Sequence, residues 1–222
     1  MDTVLEKIKQ AESMIEKALW TAVRNEDTEM ELKAYREVEE ILNNLSDLPE
    51  TIERERKRVL AYCLMRIDES LNNLDDTEGT LERAEKSLQL AIESGDSVQI
   101  ARSRLAKGIR LLNDGKLPDA EAQFTDIIKG GIDSENSDMQ QVVGWTLLVR
   151  ANILKGKSLY DQALYVAQDA AGILSSIDNY AGLRQIYSLI SMLHLDLGNK
   201  DESEKAKDMS AHFDKKAKEE QQ

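Results

Sequence analysis

Internal repetition constrains this chain more than any other feature. Residues 101–134, ARSRLAKGIRLLNDGKLPDAEAQFTDIIKGGIDS, and residues 144–177, GWTLLVRANILKGKSLYDQALYVAQDAAGILSSI, follow one plan. Each window holds two helix-forming stretches separated by a short break. Equivalent positions correspond: Gly108 with Ala151, Leu111 with Leu154, Ala120 with Ala163, Phe124 with Ala167 and Ile127 with Ala170. A small side chain on one helix lets a bulky one approach from its antiparallel neighbour, so the spacing is that of a helix hairpin.

Composition agrees with helices and disfavours sheets. The 222 residues contain 2 prolines, 11 glycines and 5% aromatics, too few β-branched and aromatic alternations to build strands. Charged residues at 32% and hydrophobic residues at 41% give a chain too apolar for disorder and too charged for the membrane. A net charge of −13 opposes phosphate backbones and anionic lipid, which excludes nucleic acid and membrane insertion as expected partners. The basic run Arg54, Arg56, Lys57 and Arg58 is interleaved with Glu53 and Glu55 and reads as a solvated helix face. With one cysteine, Cys63, and no uninterrupted apolar segment at the start, the expected address is cytoplasmic.

The windows resemble the tetratricopeptide repeat family, whose pattern asks for a small residue, a large one, then small, aromatic and small at these places. Departures are visible: the family's early tryptophan position holds Arg104 and Leu147, and its late proline is missing. The template reaches outward through Ala84, Leu88 and Ala91, through Ser191 and Ser203 in residues 184–217, and weakly through Ala22, Ala34, Val38 and Ile41. Second-helix markers Ala34, Ala84, Ala120, Ala163 and Ser203 lie 50, 36, 43 and 40 residues apart, so the array is irregular. The resemblance implies an all-α, right-handed superhelical solenoid of about five hairpins. It would form one domain over 1–218, with degenerate hairpins in 1–79, the best-defined repeats in 80–198, a capping helix in 199–218 and a polar tail in 219–222.

The same resemblance places the second, fifth, ninth, twelfth and thirteenth residues of each window on a concave groove. These are Arg102, Leu105, Ile109, Leu112 and Asn113; Trp145, Leu148, Asn152, Lys155 and Gly156; and Gln185, Ser188, Met192, Leu195 and Asp196. Aliphatic surface with scattered amides and charges suits an amphipathic helix or extended peptide of another protein. Trp145 fits a groove lining and a hairpin interior equally well. Of the family's carboxylate clamp for chaperone tails only Asn152 has a counterpart, so a co-chaperone would act without that clamp.

No catalytic or cofactor signature competes with this reading. Glycine-rich phosphate loops are absent, and the only histidines are His194 and His212, which leaves nucleophilic catalysis little to work with. A di-metal carboxylate bundle uses Glu-x-x-His twice, whereas Ser191 precedes His194 and Met209 precedes His212 at that spacing. No cofactor and no metal are expected, and the chain reads as a non-catalytic adaptor or assembly factor. The alternative is an architectural homo-oligomer: Val4, Ile8, Ala11, Ile15, Ala18 and Ala22 have the spacing of a coiled-coil seam, although packing on Leu32, Tyr35 and Val38 explains the same stripe more directly. Residues 1–79 hold 20 acidic against 11 basic side chains, a field that can steer a basic partner.

Overall fold

A computed structural model describes residues 2–25 and 27–219, excluding the side chains of Asp2 and Ala22–Asn25. Among the described residues there are ten helices and no strand: α1 (Asp2–Asn25), α2 (Thr28–Asn43), α3 (Glu50–Asn73), α4 (Thr80–Ser94), α5 (Ser97–Asn113), α6 (Leu117–Gly131), α7 (Ser137–Gly156), α8 (Tyr160–Ser176), α9 (Tyr180–Asp196) and α10 (Lys200–Glu219). No described helix is long and apolar enough to cross a membrane.

Local chemistry sets these boundaries. Asp27, Asp96, Asn136 and Asn179 each accept a hydrogen bond from a backbone N–H three residues on, satisfying donors that a helix start leaves orphaned. The turns inside the hairpins need a left-handed residue. Gly115 and Gly198 supply it where glycine is free to do so, and Ser158 adopts the same conformation with φ 59°. Pro118 sits in the first turn of α6, where its missing N–H costs nothing.

The chain divides into two compact units, residues 1–123 and 124–222, with the division inside α6. In the first unit α1 packs on α2 and α3, α2 on α3, α3 on α4 and α5, and α4 on α5; in the second α7 packs on α8 and α9, α8 on α9, and α9 on α10. Helices α1, α3, α7 and α9 thus each touch the helix that completes their hairpin, and α1 also touches α3, α3 touches α5 and α7 touches α9, which is the neighbour pattern of stacked hairpins.

The first core joins Ile8, Ala11, Ile15 and Ala18 of α1 to Leu32, Tyr35, Val38 and Leu42 of α2 and to Val59, Leu60, Cys63, Leu64, Ile67 and Leu71 of α3. The seam of α1 is therefore consumed inside its own unit and does not form the surface that self-association through it requires; Ala22 lies outside the described side chains. Cys63 is fully buried and donates to the Tyr35 carbonyl, and burial pushes its thiol up to about 12.

Charge also enters this core. Buried Glu31 accepts from Tyr35, from Arg66 at 3.0 Å and from Ser70 at 3.1 Å. Glu31 is the fourth residue of α2, as Ala120, Ala163 and Ser203 are of α6, α8 and α10. The small marker assigned to half-buried Ala34 thus sits one turn too late. Arg110 of α5 donates from Nε to Asp68 of α3 at 2.6 Å and from Nη1 to Asn72 at 2.6 Å. Burial raises the Asp68 carboxyl above its usual range, against the pull of Arg110. Its second oxygen and Arg83 Nε, both without a hydrogen bond, face each other at 4.0 Å.

The basic run on α3 departs from a solvated face. Arg54 pairs outward with Glu50, but Arg56 donates to the Leu42 carbonyl, Lys57 pairs with Glu93 of α4 at 2.8 Å and Arg58 with Glu12 of α1 at 2.7 Å. Three of the four cations tie α3 to its neighbours.

In the second unit helix approach depends on small residues. Leu174 of α8 fills a notch over Gly144, where an added Cβ would lie 2.5 Å from it, and over Gly182 of α9, where one would lie 2.9 Å away. Ser191 and Ser203 exchange hydrogen bonds with each other's carbonyl at 2.9 and 2.8 Å. Helix α10 continues past Phe213, which stacks on Tyr187 and Tyr180, while Lys216 sits over the Tyr180 ring.

Two outcomes follow for urea unfolding. Asp68→Leu or Arg110→Met alone should cost about 3–5 kcal/mol by stranding a buried charge, and the double replacement should recover most of that loss. Gly144→Ala should cost about 1–3 kcal/mol through overpacking, with part of the cost removed when Leu174→Ala accompanies it.

Candidate binding groove

Helices α7, α9 and α10 enclose an open cleft of about 730 Å³ in the second unit. Leu148 of α7 and Leu189 of α9 are buried in its floor, and Met192 is exposed beside them at 44%. Asn152, Gln185 and Ser188 supply amide and hydroxyl groups, and Arg184, Lys207 and Asp214 supply charge. The cleft can therefore accept an apolar anchor and hydrogen-bond a peptide beside it.

The residues expected on a groove divide into those the cleft gathers and those it does not. Leu148, Asn152, Gln185, Ser188 and Met192 line it together. Leu195 is exposed at 56% on α9, and Lys155 of α7 pairs with Asp196 of α9 at 3.5 Å, so these three stand outside the lining. Gly156 is exposed and Trp145 is half-buried, also outside it. Arg102, Leu105, Ile109, Leu112 and Asn113 lie on α5 in the first unit, where Arg102 stacks on the Tyr62 ring. The cleft described there, between α2 and α4 over α3, includes Lys107 of α5 but none of those five.

The wall contributed by α10 escaped the sequence reading, which assigned groove positions to first helices only. Lys207, Ser210, Ala211 and Asp214 follow one another at helical spacing, and that spacing was the available signal. Ser210 donates to the Arg184 carbonyl at 2.9 Å and fixes α10 against α9. Asp214 Oδ1 lies 3.7 Å from Arg184 Nε. A hydrogen bond from Lys218, assisted by Arg184, holds the Asp214 carboxyl below its usual range, so the pair stays charged through neutral and mildly acidic pH.

His194 lies in a separate small cleft between α8 and α10 with Glu202 and Lys205. Among the described residues no three of His, Cys, Asp and Glu are placed to hold a metal ion. Arg184→Ala should change unfolding free energy by less than about 1 kcal/mol, because both partners of its ion pair are exposed; thermal unfolding at low and high salt measures this.

No protein-family model matches the chain, and no curated protein does. Several solved structures share its fold. Aspartyl phosphate phosphatase F from Bacillus subtilis aligns with TM-score 0.66 and 16% identity over 97% of this chain and 52% of its own. BtubC from P. vanneervenii aligns with TM-score 0.58 and 15% identity over 97% of this chain and 92% of its own. A Podosopora anserina kinesin light chain protein with nearly identical TPR-like repeats aligns with TM-score 0.59 and 10% identity over 95% and 97%. The chain spans about half the length of the phosphatase structure.

Proposed function

From a tetratricopeptide-like helical-repeat fold as premise, we propose that this chain is a protein-binding scaffold that holds a helix or peptide of another protein in the cleft of α7, α9 and α10. The observation that carries the proposal is the convergence of Leu148, Asn152, Gln185, Ser188 and Met192, five positions that the repeat register assigns to a groove, on one cleft. Helical repeats of this kind generally bind through exposed concave faces and leave chemistry to other domains. The role is therefore that of a non-catalytic adaptor or assembly factor with a protein ligand and no cofactor.

Met192 and Ser188 are the residues to test, since both line the cleft and are exposed and can change without touching the core, whereas Leu148 is buried and cannot. Met192→Glu with Ser188→Glu should abolish capture of a partner from native lysate. Helicity should be unchanged, and stability should shift by no more than about 0.5 kcal/mol. Capture that persists in the double variant, compared band by band with the parent, would remove the cleft from the account.

A further inference from the structure

Hairpins α7–α8 and α9–α10 are related by a shift of 40 residues, Gly144 to Arg184 and Leu174 to Asp214. Each residue of the α10 wall can thus be compared with its counterpart on α8, which packs on α9. On α7–α8 the face that carries the next helix is apolar: Leu174 plugs the notch over Gly144 and meets α9 at Gly182. On α9–α10 the same two positions hold the Arg184–Asp214 ion pair at 3.7 Å. At two further equivalent positions buried Leu148 becomes exposed Ser188 and buried Ala167 becomes exposed Lys207.

The corresponding face of α9–α10 has the positions of a helix acceptor with its packing chemistry exchanged for charge. An apolar helix laid across it would take the Arg184–Asp214 pair out of water, and the desolvation of two ions can exceed what their mutual attraction at 3.7 Å returns. A further apolar hairpin is therefore a poor occupant. Lys207 also pairs along α10 with Glu204 at 3.5 Å and Asp214 with Lys218 at 2.6 Å, so three cations stand against two carboxylates around these positions, in a chain whose net charge is −13. Resting on the cleft being the binding site, we propose that this face accepts a helix of a partner protein, set on α9–α10 as α9 sits on α7–α8. The occupant's contact face carries carboxylates opposite Arg184 and Lys207, and Met192 with the Leu148 floor takes its apolar anchor.

The overall field of the protein works against this preference, which makes the test sharp: non-specific attraction by a chain of net charge −13 favours a cationic peptide. Two designed helical peptides, alike except for two Glu or two Lys on the contact face, are titrated into the full chain and followed by amide NMR. The Glu peptide should bind at least about tenfold tighter, about 1.4 kcal/mol, with shifts centred on Ser188, Ser210 and Ala211, and Arg184→Glu with Lys207→Glu should invert the order. Equal affinity, or tighter binding of the Lys peptide, overturns the charge assignment while leaving the cleft intact as a site. Binding by neither peptide, or shifts away from α9–α10 that Met192→Glu leaves unchanged, overturns this inference and the cleft together. Sedimentation of the parent covers the remaining occupant: a dimer dissolved by the charge reversal would give the face to a second copy and overturn the partner assignment.

Discussion

The architecture depends on how closely two helices can approach where their side chains are small. Leu174 seated over Gly144 and Gly182 draws α7, α8 and α9 together, and Ser191 against Ser203 does the same for α9 and α10. Interiors are close-packed, so a methyl group added at such a notch must displace a neighbour. Those approaches fix the spacing of α7, α9 and α10, and that spacing leaves a cleft whose walls are three rigid helices. A binding surface on helices is positioned by the core beneath it and does not have to be ordered when a ligand arrives.

Much of this was legible in the sequence because the hairpin signal is a packing signal. Gly108, Ala120, Ala151 and Ala163 announce close contact, and the ten helices follow from breaks such as Asn113-Asp114-Gly115 and Gly198-Asn199. Two turns carry fainter marks because their left-handed residues are Ser158 and Asp178 where a glycine would have signalled them. The N-terminal hairpins were faint for a different reason: Glu31 occupies a place where later hairpins use Ala or Ser, so the pattern of small residues breaks although the helix pair does not.

Charge was the least legible property. Nothing in the sequence marks Glu31, Arg66, Asp68 and Arg110 apart from solvated helix positions, yet they are largely withdrawn from solvent and paired across helices. Arg56, Lys57 and Arg58 likewise spend their charge on neighbouring helices. No periodicity separates a charge that faces water from one that faces a partner forty residues away, because both satisfy the same helical spacing. Groove residues divided along the same line: Leu148, Asn152, Gln185, Ser188 and Met192 follow from the register of first helices, while Lys207 and Asp214 required knowing where α10 lies.

The central claim is that the α7, α9 and α10 cleft is where another protein sits. Site-specific photocrosslinking measures this most directly, with a photoreactive residue at Ser188 inside the cleft and, as control, at Gly172 in the other cleft of the same unit. The account predicts an adduct of one defined mass from Ser188, mapping to a helical segment of the partner, and none from Gly172. Adducts from Gly172 alone, or the same adducts from both positions, would contradict it.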